Sequence, residues 1–82
     1  MVVAGQFVQI NNERFYARVN KTENDLYVAL FDKKLKNVIF ISSYYPSTQS
    51  YVYCIRQAAR EYLKHLKNIK ELEEWDGVIK GE

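Results

Sequence analysis

The sequence predicts an α+β fold, in which a four-stranded antiparallel meander is followed by one long C-terminal amphipathic helix packed on one sheet face. Three observations predict it. Short apolar or alternating runs separated by turn residues fill the first half of the chain. Pro46 then ends the strand pattern, because proline cannot donate to a β-ladder. From Ser47 to Glu74, apolar residues recur at steps of three and four, which is the helical period.

The strands are predicted from alternation and from β-forming residues. They are residues 6–10, 14–20, 26–31 and 38–41, after a short lead-in at residues 1–5. Asn11 and Asn12 separate the first two strands, and asparagine tolerates the positive φ of a tight hairpin turn. All the connections are short, so we expect neighbouring strands to pair antiparallel.

The predicted helix has an apolar stripe and a basic face. The stripe is Val52, Ile55, Ala59, Tyr62, Leu66 and Ile69, with Leu63 and Leu72 beside it, and the opposite face carries Arg56, Arg60, Lys64 and Lys67. We expect Ser47 to cap the helix, with Thr48 as the competing cap. The stripe places Leu66 in the core, where Leu66→Ala is expected to cost ~2–5 kcal/mol.

The length and charge of the chain limit the functions that it can have. The 82 residues are predicted to form a single domain, residues 1–82, close to the lower size limit for independent folding. The net charge of +2 does not by itself indicate a nucleic-acid partner. Its distribution is more informative: residues 46–70 hold five basic and one acidic side chain, and residues 71–82 hold five acidic and one basic. The chain is therefore dipolar.

The compartment is predicted from what the sequence contains. Cys54 is the single cysteine, so no internal disulfide can form, and a buried thiol is expected. No apolar run approaches the ~20 residues that a bilayer crossing requires. The N-terminus lacks the basic start and apolar centre of a signal peptide. We expect a cytoplasmic protein without a membrane partner.

Few residues could carry catalysis. His65 is the single histidine and has no second ligand at metal-binding spacing. Glu61 lies four residues before it, which predicts a structural contact between the two on the helix. The serines lack a nucleophile-elbow motif, and the glycines are isolated. We expect a non-enzymatic protein with no metal and no cofactor, and a small enzyme using His65 is the weaker alternative.

One face of the sheet is expected to remain uncovered. If Leu26, Val28 and Leu30 lie under the helix, their neighbours in the strand point away from it, although a register slip of one residue would exchange the faces. This face is the candidate nucleic-acid-binding site, because tyrosines stack on bases while arginines and lysines hold phosphates. Its residues are Arg14, Tyr16, Arg18, Tyr27, Phe31, Lys33, Lys34 and Lys36.

Two functions are compatible with such a face. The first is a small non-enzymatic nucleic-acid-binding protein, a homodimer that binds DNA, single-stranded DNA included. The second is a protein-binding module, such as an antitoxin or a phage or mobile-element inhibitor of a host protein, because tyrosine and arginine also dominate protein hot spots. Alternatively, the tyrosines are ordinary amphipathic strand residues.

Three partial resemblances bear on this choice. The element order over residues 6–66 resembles the single-stranded-DNA-binding transcriptional coactivators, with residues 37–41 in place of their basic, glycine-containing segment. Residues 15–19, 26–32 and 57–62 resemble the three-stranded DNA-binding domains of some integrases and plant transcription factors. Residues 58–63 after the strands resemble HicB-type antitoxins, without their proline–glycine turn. These resemblances imply DNA or protein partners and assign no residue.

Overall fold

The computed structural model describes residues 1–81 and confirms the α+β prediction. Its elements are β1 (Val2–Ile10), β2 (Glu13–Lys21), β3 (Asp25–Asp32), β4 (Val38–Ile41), β5 (Tyr45–Pro46) and α1 (Tyr51–Glu74). The first four strands form an antiparallel sheet in chain order, and the two-residue β5 pairs with the start of β3. Helix α1 packs against one face of this sheet, over β2 and β3.

The first strand is longer than the sequence predicts. Residues 2–5 pair with residues 18–20 of β2, so their prediction as a lead-in was wrong. The N-terminal amino group donates to the Lys21 carbonyl at 3.1 Å, and the Lys21 N–H donates to the Met1 carbonyl at 2.7 Å. The turn to β2 uses Asn11 and Asn12 at φ 50° and 66°, as predicted for this pair.

The register between β2 and β3 places the larger apolar set under the helix. Ala17 lies opposite Leu30, and Val19 lies opposite Val28. Because opposite residues share a face, the alternating positions of both strands build one core. Phe15, Ala17, Val19, Leu26, Val28 and Leu30 are each at most 2% exposed. The predicted assignment of faces is therefore confirmed.

The helix begins three residues later than the predicted cap at Ser47 implies. The Ser50 hydroxyl accepts the Tyr53 N–H at 3.0 Å, which makes Ser50 the N-cap instead of Ser47 or Thr48. The reason lies in the preceding segment. Pro46 is still paired with β3, and its carbonyl accepts the Gln49 N–H in a separate turn, so residues 47–49 connect the strand to the helix.

The buried side of α1 differs from the predicted stripe. Its buried residues are Cys54, Ala58 and Tyr62, spaced by four. Small side chains at positions 54 and 58 allow the helix backbone to approach the sheet closely. The Tyr62 ring closes this contact, with its centroid 5.3 Å from that of Phe15. The predicted buried thiol of Cys54 is confirmed.

Leu66 is not in the core. It is 42% exposed, because the sheet ends beneath Tyr62 and His65, whose rings contact Phe40. Residues 66–74 continue beyond this point and are all exposed; we call them the overhang. The prediction of a core position for Leu66 was wrong, because helical periodicity shows which residues share a face and not where the sheet stops.

Glu61 connects the helix to the segment between β4 and β5. Its carboxylate accepts the Ser43 N–H at 2.8 Å, the Ser43 hydroxyl at 2.9 Å and the Tyr45 hydroxyl. The predicted Glu61–His65 contact was wrong, because these partners occupy the carboxylate while the His65 ring packs on Phe40. Burial, followed by the hydrogen bond to Glu61, raises the pKa of Tyr45 far above its ordinary value.

The same hydrogen bonds change the acidity of Glu61. Burial alone would raise its pKa, but hydrogen bonds from Tyr45 and Ser43 outweigh it and hold the pKa below the ordinary 4.5. A group whose pKa is lower in the folded state than in the unfolded state stabilises the fold. This stabilisation is complete at pH values above the unfolded-state pKa. This contribution is lost as the pH falls through the lower, folded-state value.

Within residues 1–81, no helix combines the length and the apolar character needed to cross a bilayer.

Leu30→Ala is expected to destabilise the protein by about 2–5 kcal/mol, because it empties a fully buried position. Leu66→Ala should cost less than about 1 kcal/mol in the single chain. Urea unfolding at low micromolar concentration measures both. Equal losses for the two variants would contradict the placement of Leu66 in the overhang.

Glu61→Gln is expected to cost about 1–2 kcal/mol at pH 7, because hydrogen bonds to a charged acceptor are lost. The difference from the wild type should shrink as the pH falls below 4.5 and through the lowered pKa of Glu61, because the wild-type carboxylate then loses its charge as well. Urea unfolding from pH 7 down to the lowest pH at which the wild type is folded measures it, with Glu23→Gln on the surface as the matched control. A cost of Glu61→Gln that is no larger than that of Glu23→Gln at pH 7 would contradict the assigned role of Glu61.

Candidate nucleic-acid interface

The sheet face opposite α1, here called the outer face, carries a row of aromatic residues. Strand pairing aligns Phe7 with Tyr16, Tyr16 with Phe31, and Phe31 with Val38. The first three side chains form what we call the aromatic row, which crosses three neighbouring strands. Since strands lie ~4.8 Å apart, the row is about 10 Å long.

Two arginines lie on either side of the aromatic row. Arg14 and Arg18 stand two residues before and after Tyr16 in β2, so strand alternation places all three on one face. The Arg14 guanidinium carbon lies 4.3 Å from the centre of the Phe7 ring. The Arg18 carbon lies 4.6 Å from the centre of the Phe31 ring and 5.7 Å from that of Tyr16. These distances are those of cation–π contacts.

Gly5 makes room for the central ring. A Cβ atom at this position would lie 2.8 Å from Cζ of Tyr16. The Tyr16 ring therefore lies over Gly5, where a larger residue would clash with it. The Phe7 and Tyr16 rings meet edge to face, with centroids 4.9 Å apart. Cross-strand packing over a glycine thus orients Tyr16. Sequence reasoning missed Gly5 and Phe7, although extending the alternation of the first strand towards the N-terminus would have found both.

Tyr27 lies on the predicted face but outside the aromatic row. It pairs with Asn20, and its ring packs edge to face on Tyr44 with centroids 5.6 Å apart. Ala29 separates it from Phe31 along the strand. The outer face therefore has two aromatic groups. Arg14, Tyr16, Arg18 and Phe31 come together as predicted, and Tyr27 forms the second group with Tyr44.

The three predicted lysines lie in the turn between β3 and β4. Lys33, Lys34 and Lys36 are all exposed, and Asp32 separates them from Phe31 in the chain. The Asp32 carboxylate accepts the Lys36 N–H at 2.9 Å and the Asn37 side-chain amide at 3.0 Å. The first of these hydrogen bonds is the main cause of a lowered pKa of Asp32. The turn is thereby ordered, with three positive charges and one negative charge at the end of the aromatic row.

The remaining margin of the outer face is apolar. Val38 and Ile41 of β4 are exposed, and Tyr44 follows them. Ile41 lies opposite Ala29, in the cross-strand row of residues next to the aromatic row. An open depression of about 560 Å³ lies at the other margin, along the β1 edge. It is lined by Gln6, Phe7, Val8, Gln9, Asn12 and Arg14.

This arrangement offers stacking surfaces and positive charge. Among residues 1–81, no three His, Cys, Asp or Glu side chains approach one another as metal ligands would. Cys54 is buried under α1, and burial raises the pKa of its thiol, so it is not poised as a nucleophile. The outer face is thus suited to binding planar groups and anions.

Gly5→Ala is expected to displace the Tyr16 ring without replacing any aromatic residue, because the new methyl group occupies the position over which the ring lies. The aromatic proton resonances of Tyr16 and Phe7 should shift in NMR spectra, while those of Tyr62 under the helix stay unchanged. Gly81→Ala, where a Cβ meets nothing, is the matched control. Unmoved Tyr16 resonances would contradict this packing.

No protein-family model, no curated protein and no solved structure matches this chain significantly, so its resemblance to the DNA-binding and antitoxin families is one of element order and local sequence alone.

Proposed function

We propose that this protein binds single-stranded nucleic acid on its outer face without catalysing a reaction. The observation that carries the proposal is the aromatic row, flanked by two arginines on the sheet face that α1 leaves uncovered. Phe7 is exposed, and Tyr16 and Phe31 are half-buried, so part of each ring is open to solvent. An apolar patch open to solvent with charge converging on it is a common sign of a binding site.

Stacking is the first contribution. The aromatic row is about 10 Å long, which allows about two unstacked bases to lie on it, as on other sheets that bind single strands. Bases in a duplex are stacked on each other and cannot reach a flat sheet. Every base has a π-face, so this contact tolerates different sequences. Single-stranded DNA and RNA are both compatible with such stacking, and DNA is the ligand that we propose.

Charge neutralisation is the second contribution. Arg14 and Arg18 lie on the two sides of the row, where a phosphate backbone that follows stacked bases would pass. The lysines of the β3–β4 turn extend this charge beyond Phe31. Binding through these groups releases counterions, so affinity must fall with salt.

A protein partner is the second candidate. The observation that favours it is the margin formed by Val38, Ile41 and Tyr44, which is exposed and carries no cation of its own. An antitoxin or an inhibitor of a host protein would bury such a margin together with the aromatic row. Affinity capture from a lysate treated with nuclease separates the candidates, because one stoichiometric protein favours this function and loss of all partners favours the first.

Binding to a labelled oligonucleotide should be weakened by Phe31→Leu about 5- to 150-fold, because a stacked base contributes ~1–3 kcal/mol. Arg18→Ala should also lower the slope of log affinity against log salt by about 0.7 if one phosphate contact is lost. Fluorescence anisotropy with single- and double-stranded oligonucleotides measures both effects. The matched control is Arg60→Ala, which removes an exposed arginine on the helix.

The wild type should prefer the single strand, and Arg60→Ala should bind as the wild type does. The proposal fails if no binding is detected at low salt near ~10 µM protein, since even nonspecific affinities commonly fall within 10⁻⁴–10⁻⁶ M. It also fails if Arg60→Ala weakens binding while Phe31→Leu does not.

A further inference from the structure

Strand β1 is an unprotected edge of the sheet. It is nine residues long, and Val2–Ile10 contains neither a charged residue nor a proline. The opposite edge, β4, has four residues, and a turn with three lysines precedes it. Short length and lysines are features by which proteins prevent sheet edges from pairing, and β1 has neither. Helix α1 packs over β2 and β3, so it leaves the β1 edge accessible.

The outward backbone groups of this edge belong to alternate residues. Ile10 and Glu13 flank the two-residue turn to β2, so they exchange both hydrogen bonds of an antiparallel pair. Because such pairs alternate along a strand, the N–H and C=O groups of the intervening residues point away from β2. These residues are Gly5, Phe7 and Gln9.

Two features show that the edge is open in the single chain. The Gln6 side-chain oxygen accepts the Phe7 N–H at 3.0 Å, on the side where a further strand would lie. The depression of about 560 Å³ runs beside residues 6–9, so the edge forms one of its walls. An added extended strand would fill this depression and would supply backbone hydrogen bonds to Gly5, Phe7 and Gln9.

The shape of β1 suits a second copy of the same strand. Its pairing with β2 is irregular between Val2 and Ala4, so the regular edge comprises residues 4–10. Phe7 is the midpoint of this segment. With Phe7 on a two-fold axis, the segment pairs antiparallel with itself over its full length, and each outward N–H meets an outward C=O. The segment is uncharged, so no like charges are brought together.

Side chains on the outer face favour the same alignment. Gly5 then lies opposite the partner's Gln9, whose carboxamide reaches the Tyr16 hydroxyl. That hydroxyl lies at the place of a Gly5 Cβ, and it has no hydrogen-bond partner within residues 1–81. Phe7, which is 39% exposed, packs against the partner's Phe7. A second copy supplies all of these matches by symmetry, whereas an unrelated strand would need a matching sequence.

We propose that two copies of this chain form a dimer by antiparallel pairing of their β1 strands, with Phe7 at the two-fold axis. About six backbone hydrogen bonds join the copies into one continuous sheet. The other edge of each copy is the short β4, so the assembly closes at two. The two aromatic rows meet at Phe7 and form one row of about 24 Å. The dimer itself does not depend on the proposed function, although it would enlarge the same site.

The size of the contact determines the expected affinity. Residues 4–10 of each copy take part, which places the contact in the class of small interfaces below ~1,200 Å². Interfaces of this size form weak assemblies, so we expect dissociation in the micromolar range. The mass should therefore change with protein concentration.

Sedimentation equilibrium of the full chain from about 5 to 500 µM tests the proposal. The wild type should pass from the 9.7 kDa monomer towards twice that mass. Gln9→Pro should remain monomeric, because it removes an N–H that points to the open edge and takes no part in the pairing with β2. Gln9→Ala retains that N–H, so it is the matched control and should still dimerise. Far-UV circular dichroism confirms that each variant is folded.

Cysteine crosslinking tests the alignment of the strands. Phe7→Cys brings two thiols to the two-fold axis, where opposed Cα atoms lie ~5.5 Å apart, within the range of a disulfide. Gln9→Cys alters the same edge but places the two new thiols about 14 Å apart along the strands. Oxidation with copper phenanthroline should therefore crosslink Phe7→Cys and not Gln9→Cys on a non-reducing gel. The native Cys54 is buried and does not compete.

A wild type that is monomeric at the highest concentration overturns the proposal. So does a dimer that persists unchanged in folded Gln9→Pro, because the interface then lies elsewhere. If Gln9→Pro does not fold, the absence of a crosslink in Phe7→Cys overturns the proposal instead. Equal crosslinking of Gln9→Cys overturns the alignment at Phe7. A wild type that dimerises but binds no oligonucleotide contradicts the proposed function alone, and Phe31→Leu should lose binding with the dimer intact.

Discussion

The register of β2 against β3 is the constraint on which the rest of the structure depends. Pairing Ala17 with Leu30 and Val19 with Val28 collects the apolar side chains on one face, and the same pairing sets Tyr16 opposite Phe31 on the other. A slip of β2 by one residue would put Arg18 and Tyr16 under the helix and Val19 of the same strand in solvent. The cost of burying an unpaired guanidinium makes that alternative unfavourable. The core and the candidate site are thus two consequences of one pairing.

The position of the helix depends on a different set of contacts. Cys54 and Ala58 are small enough to lie against the sheet, and Tyr62 fills the space between Phe15 and Phe40. Glu61 ties the same helical turn to Ser43 and to Tyr45. These contacts lie in the first half of α1, and His65, whose ring packs on Phe40, adds one further contact with the sheet. The side chains of residues 66–74 lie beyond it and are exposed.

The outer face combines aromatic rings that are held in place with positive charge next to them. Its central ring is oriented by Gly5, and its outer rings are each approached by an arginine. Arginine on an aromatic face keeps its charge available while its plane lies near the ring, so the pair can present both stacking and charge to a ligand.

The sequence by itself determined the fold class, the order of the four main strands, the long helix and the face on which Arg14, Tyr16, Arg18, Tyr27 and Phe31 lie. These follow from local periodicity, because alternation and helical spacing are properties of neighbouring residues. The tertiary structure alone decided where α1 begins, which of its residues are buried, that Leu66 is exposed, and that Phe7 and Gly5 join Tyr16. Each of these depends on contacts between segments that are separated in the chain. The residue pattern within one segment does not show where the other segment begins or ends.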